Sequence, residues 1–252
     1  MNANWLTIVS VTKDDPTGWA RTSASVAAWR AHPGVEQVAV YRGAAPALLQ
    51  PPHPVRHEQV STGIAGAFNE GLALAKGDWV WFLNGGDEID PRLAPAWLET
   101  LLGNARADIV IGGTTYAGEE APRPPPPPER RWPPVQPWIP HPSALVRRRL
   151  LVRVGGFDPR YAVAMDYAWW MRALRAGASV DVLSVPFAVF AHGGVSQRAE
   201  TRPRLGQERD DVLRRHAAHL WRGWVLGGAR LLRSSLRAAF ARRLDRGRPP
   251  AP

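Results

Sequence analysis

The chain has 252 residues, a net charge of +10 at pH 7 and no cysteine. That length suits one α/β domain with a substantial core, while disulfides and thiolate metal sites are excluded, so any metal would be held by oxygen or histidine. No run of about twenty apolar residues is present to span a bilayer, and residues 1–12 lack the basic start and cleavage site of a secretion signal.

The first predicted strand, Trp5–Thr12, is rich in β-branched residues, and a helix is expected from about Thr17 to Ala31. Pro33 and Gly34 break the chain before a second strand at Gln37–Tyr41, completing a βαβ unit. No glycine-rich dinucleotide turn follows the first strand, where Val11-Thr12-Lys13-Asp14-Asp15 stands, which argues against an oxidoreductase. Residues 63–76 carry Ile64, Ala67, Phe68, Gly71, Leu72 and Ala75 at three- and four-residue spacing, predicting a helix stopped by Gly77. The continuously apolar run Trp79–Leu83 then reads as a central strand covered on both faces, and Asn84-Gly85-Gly86 turns the backbone before Asp87. Ligands of open α/β sheets sit at such strand ends, where a carboxylate can hold a divalent cation against phosphate oxygens; an ordinary solvated turn is the plainer alternative.

Five consecutive prolines, Pro124–Pro128, force an extended loop that carries Trp132 and Trp138 towards the second half as candidate lid or acceptor contacts. There, His141–Arg148 opens a short strand, Gly155-Gly156 permits a bend before Phe157, and Asp166 precedes an amphipathic run through Trp169, Trp170, Ala173 and Leu174. A carboxylate in a first helical turn also serves as a cap. Val189–Arg198 ends a late strand with His192-Gly193-Gly194, where a histidine could ligate metal or be merely structural, and the glycines would let backbone N–H groups approach phosphate.

In this order the segments resemble the family-two glycosyltransferases of the GT-A fold, particularly the small bacterial sugar transferases of polysaccharide synthesis. The match is gapless from Gly63 to Glu88 and, with the later blocks and the first strand, covers residues 5 to 198. The resemblance implies a Rossmann-like α/β fold, a mostly parallel mixed sheet flanked by helices, in an inverting glycosyltransferase at the cytoplasmic face of the plasma membrane. A nucleotide-sugar donor would be bound near Thr12, Lys13, Asp14, Asn84, Gly193 and Gly194, and Asp87 with His192 would hold a divalent metal, Mn2+ or Mg2+. Asp166 would be the base that deprotonates a lipid-linked or glycan acceptor, with His141 hydrogen-bonded to sugar or acceptor. On this reading residues 1–204 form the transferase domain, with a nucleotide and metal half at 1–118, a proline-rich loop at 119–140 and an acceptor half at 141–204.

Two departures matter. The acidic turn that the family carries after its second strand is replaced by Val40-Tyr41-Arg42-Gly43-Ala44-Ala45-Pro46, and Ser61 stands where a carboxylate near the nucleobase is expected. A non-catalytic binding or scaffold protein of a polysaccharide assembly complex is therefore the alternative. The charge is also uneven: residues 212–252 hold ten arginines against Asp245 alone, nine of the ten net positive charges. With Leu213, Ala217, Leu220, Trp224, Leu231, Leu232, Leu236, Phe240 and Leu244 on one stripe, residues 205–252 read as a basic amphipathic helix. Its partner would be an anionic membrane surface or a second copy of the chain; no aromatic platform or motif suggests nucleic acid.

Overall fold

A computed structural model describes residues 4–45, 52–119, 121–124 and 139–216. The first half alternates strand and helix: β1 (Leu6–Lys13), α1 (Pro16–Arg30), β2 (Val35–Arg42), β3 (Val55–Glu58), α2 (Gly63–Leu74) and β4 (Trp79–Asn84). A short β5 (Glu88–Ile89), α3 (Pro95–Asn104) and β6 (Ile109–Tyr116) follow. The second half adds β7 (Ala144–Arg147), α4 (Arg148–Val154), α5 (Met165–Arg175) and β8 (Val180–Phe190), and residues 202–216 are helical.

These strands form one mixed sheet in the order β3-β2-β1-β4-β7-β6-β8-β5. The pairs among β1, β2, β3 and β4 are parallel, β7 runs antiparallel between β4 and β6, and β8 returns parallel to β6. The apolar run of β4 is explained by its two covered faces. Val80 and Phe82 enter a core with α2 and α5, while Trp79, Trp81 and Leu83 enter one with Trp29, Leu98 and Phe187.

Helix ends follow local chemistry. Asp15 caps α1 by accepting the Gly18 N–H at 2.8 Å, with Pro16 in the first turn where no N–H is needed. The stop expected at Gly77 comes earlier: α2 ends at Leu74 with Ala75 already extended. Gly77 serves another purpose, since a Cβ there would come 2.5 Å from the Leu6 and Thr7 backbone. Its absence lets α2 join β4 directly beside β1. The two halves are then tied by Asn69 on α2, whose amide exchanges two 2.7 Å hydrogen bonds with the Phe157 backbone.

The division expected at residue 204 falls inside the helix at 202–216, which packs on the domain through the fully buried Val212 and through Leu205 and Leu213. The rest of the basic stripe, from Ala217 onward, lies outside the described residues, as do Trp132 and Trp138. At its start the proline-rich loop is tied to β6 by Arg123, whose backbone exchanges hydrogen bonds of 2.7 and 3.0 Å with Thr114. Among the described residues no helix is long and apolar enough to cross a membrane.

Candidate functional site

The carboxyl ends of β1 and β4 lie side by side, with Val11 opposite Asn84, and the turn after β4 is fastened to its surroundings. Gly85 donates its N–H to the Val11 carbonyl at 2.7 Å, and Gly86 donates to the Gly18 carbonyl at 3.1 Å and the Thr22 hydroxyl at 2.9 Å. The same hydroxyl donates to the Asp87 carbonyl at 2.7 Å. Asp87 is thereby carried into the fold, 3% exposed, where its carboxylate accepts the Ala191 N–H at 3.1 Å and the Asn84 amide at 3.3 Å. Burial pushes its carboxyl up to about 6, against the pull of those hydrogen bonds and of the Arg21 charge.

Asn84 presents its amide nitrogen to Asp87, and its buried Oδ1 has no partner among the described residues. A carboxylate and an amide oxygen without a partner among the described residues are hard donors of the kind Mg2+ or Mn2+ takes, so these two residues would hold such a cation. Among the described residues no group of three His, Cys, Asp or Glu side chains gathers into a fuller cage. His192 follows the residue whose N–H reaches Asp87, and its ring is engaged elsewhere: Nε2 hydrogen-bonds the Ala117 carbonyl at 2.8 Å, beside the Tyr116 ring. Gly193 donates its N–H to the Gln197 side chain at 2.8 Å, and Gly194 offers its carbonyl to the Gln197 N–H at 2.9 Å.

At the end of β1, Thr12 is half-buried beside Gly85, and Lys13 and the following Asp14 are exposed. Asp14 takes a left-handed backbone, φ 48°, uncommon without glycine. Its carboxylate rests on Gly43, so closely that a Cβ there would lie 1.9 Å from Oδ1. A carboxylate is thus present beside the end of β2 although the turn that follows the strand, Gly43-Ala44-Ala45, carries none. Ser61 sits in a groove of about 360 Å3 with Thr62, Gly66, Asn69, Glu70, Ala73 and Pro159. Glu70 holds this loop by accepting the Val60 and Ser61 N–H groups and the His57 ring at 3.1, 2.6 and 2.8 Å. Burial acts to raise its carboxyl, but these bonds outweigh it and hold the group at about 2.

On the acceptor side, Asp166 occupies the first turn of α5, half-buried, with its carboxylate accepting the Tyr167 N–H at 2.7 Å. Burial raises its carboxyl, opposed by that N–H, its own backbone N–H and the Arg209 charge. His141 is buried against Phe68, Phe82, Phe157 and Trp170, its ring stacked on Phe82, and neither ring nitrogen has a partner among the described residues. Desolvation pulls its pKa down to about 4, so the imidazole is neutral at pH 7.

Two residues near Asp166 escape a local reading of the sequence. Glu208, on the helix at 202–216, accepts the N–H groups of Ala162, Val163 and Ala164 at 2.9, 2.9 and 2.8 Å. It thus caps the segment leading into α5, and is paired with Arg204 at 2.8 Å. Its neighbour Arg209 lends positive charge to Asp166 and Tyr167. The signal available in sequence is a short acidic cluster, Glu208, Asp210 and Asp211, among arginines, with nothing to say that Glu208 faces 44 to 46 residues back.

Known proteins bear on this arrangement directly. An uncharacterised glycosyltransferase of Mycobacterium tuberculosis is 25% identical over 246 residues, covering 94% of this chain and 91% of its own length. The pre-mycofactocin glycosyltransferase of the same organism is 30% identical over 154 residues, 55% of this chain but only 32% of that protein. Among solved structures, Staphylococcus aureus TarS 1–349 in complex with UDP superposes with a TM-score of 0.61 at 17% identity, over 74% of this chain and 60% of that one. A Pyrobaculum calidifontis mannosyltransferase in complex with GDP-Man and Mn2+ gives 0.52, also at 17% identity, over 79% and 59%. The TarS likeness establishes the GT-A fold. The family model for glycosyl transferase family 2 matches residues 38–166, half of the sequence and the span from β2 to Asp166, and the chain belongs to that family.

Proposed function

We propose that the protein is an inverting glycosyltransferase that moves a sugar from a nucleoside-diphosphate donor to a hydroxyl of a lipid-linked or glycan acceptor in cell-envelope synthesis. The observation that carries this reading is the Asp87 turn: a buried carboxylate beside an amide oxygen that has no partner among the described residues, at the strand ends where open α/β sheets bind nucleotides. The UDP and GDP-Man complexes of the structural neighbours support a donor of this class.

Asp87 and Asn84 Oδ1 would hold a divalent ion, which when bound neutralises charge on the leaving diphosphate. Thr12 and Lys13 would line the nucleoside, and Asp14, seated on Gly43, would accept hydrogen bonds from base or ribose in place of the acidic turn that β2 lacks. Asp166 would take the proton from the acceptor hydroxyl as it attacks the anomeric carbon. A raised carboxyl pKa suits that role, because a base works best with a pKa near the working pH. Inversion needs only this single displacement, so no nucleophilic side chain is required. His141, neutral and walled by aromatic rings, would hold the acceptor side in shape, and would offer a ring nitrogen to a sugar hydroxyl only where a substrate parts that enclosure. His192 would serve as a second metal ligand only by turning its ring away from Ala117, and the Gly193–Gly194 backbone would close on the diphosphate. The basic segment after residue 216 would hold the enzyme on anionic lipid at the cytoplasmic face.

A thermal-shift screen against UDP, GDP, CDP and dTDP and their sugars, with Mn2+, Mg2+ or EDTA, tests the donor reading. Ligand at a hundredfold excess over its dissociation constant should add about 2.7 kcal/mol of stability. A shift with one nucleotide, its metal-dependent part lost in Asp87→Ala, is expected. No shift with any of them would favour the non-catalytic binding protein.

A further inference from the structure

α1 is stapled to the acidic turn. Besides the Thr22 contacts and the Gly18 carbonyl, Ser25 accepts the Ile89 N–H at 3.1 Å, so half of α1 is fixed against residues 84–89. Arg21 precedes Thr22, and its exposed side chain lies across the turn: Nη2 would be 3.5 Å from a Cβ on Gly86. Gly86, at φ +101°, leaves the space beneath the guanidinium open. Among the described residues no hydrogen bond or close ion pair holds the Arg21 guanidinium, so its donors are unspent beside Asp87. A divalent ion on one carboxylate cannot alone balance a fully ionised diphosphate, and arginine's planar fork matches paired phosphate oxygens.

We propose that Arg21 is a donor-binding residue, its guanidinium taking non-bridging oxygens of the nucleoside diphosphate and placing a fixed positive charge from α1 beside Asp87. This rests on the donor reading above. It makes the diphosphate subsite bipartite, with one cation brought by solution and one built into the chain. It also gives Thr22 a second purpose, since the hydroxyl that locks the turn orients the residue next to it.

Isothermal titration of wild type, Arg21→Ala and Arg21→Lys with UDP and GDP, and with uridine and guanosine as phosphate-free probes, tests this in Mn2+ and in EDTA. Arg21→Ala should weaken the nucleoside diphosphate that wild type binds by about tenfold or more under both conditions. Nucleoside binding should be unchanged, and lysine, which keeps the charge but loses the fork, should recover part of the affinity. Unchanged diphosphate affinity in Arg21→Ala would overturn the proposal, as would an equal loss for the bare nucleoside, which marks a disturbed α1. If wild type binds no nucleoside diphosphate, the donor reading fails and this proposal falls with it. If wild type binds and the variant matches it, the Arg21 assignment alone fails.

Discussion

The turn carrying Asp87 and the segment carrying Asp166 are built in opposite ways. Asp87 is fixed mainly by elements of the first half of the chain, the end of β1, the Thr22 hydroxyl on α1 and the neighbouring Asn84, joined by the Ala191 N–H from just past β8. Asp166 stands on a segment whose three N–H groups are satisfied by Glu208, beyond every recognisable block. The donor side is therefore held largely by β1, α1 and β4, and the acceptor side depends on a late helix that leads directly into the basic segment. A change in that helix can reach Asp166 without touching the nucleotide site.

The broadest test of this contrast removes each carboxylate. Asp87→Ala and Asp166→Asn should each lower sugar transfer about a thousandfold or more, since general-base and charge-stabilising contributions are of that order. They should differ in binding: Asp87→Ala loses metal-dependent nucleotide affinity, while Asp166→Asn keeps it. Equal nucleotide affinity in both variants, measured by titration, would mean that the two sides are not separable.

Asp87 also leaves a mark on stability. Its carboxyl is raised in the fold to about 6 from 3.8, so folding favours the protonated form. That stability is present in full below the unfolded value and is lost as pH rises through 6. A rise of this size separates the two protonation states by about 3 kcal/mol. Asp87→Asn removes the charge, and Asn84 can turn its amide to present oxygen to the new side chain. The variant should therefore melt higher than wild type at pH 7.5 in EDTA, with the gain vanishing near pH 4. A gain that persisted at pH 4 would place its origin elsewhere.

The same contrast separates what the sequence reveals from what it hides. Trp79–Leu83 is apolar without alternation because both faces are covered, and Asn84-Gly85-Gly86-Asp87 must turn; both follow from local chemistry. Composition could not show that Gly77 exists for the close approach of β1, nor that Asp14 reaches across to Gly43 and supplies a carboxylate beside β2. Those facts depend on which strands are neighbours. His141 is legible as a residue of the acceptor strand, but not as the centre of an aromatic enclosure formed with Phe68 on α2, Phe82 on β4, Phe157 and Trp170 on α5. Arginine content makes residues 205–252 look like one appendage, whereas Glu208, Asp211 and Val212 face the domain, with Asp211 accepting the Tyr161 hydroxyl at 2.8 Å.

A matched pair of small substitutions sharpens the comparison most. Thr22→Val removes a buried hydroxyl whose partners, the Asp87 carbonyl and the Gly86 N–H, stay in place, and Glu208→Gln replaces one carboxylate oxygen by an amide facing N–H donors. Each leaves a buried polar group poorly met and should cost about 1–3 kcal/mol, read as a lower melting temperature. Their functional signatures should diverge. Thr22→Val loosens the turn and should weaken nucleotide binding together with metal response. Glu208→Gln should leave nucleotide affinity alone and lower kcat by about tenfold, because a base displaced by a fraction of an ångström loses orientation more than binding. Glu208→Asp, which keeps the charge but is shorter, should fall between. If Glu208→Gln instead raised the nucleotide dissociation constant with kcat intact, the helix at 202–216 would belong to the donor side and the separation drawn between the two carboxylates would fail.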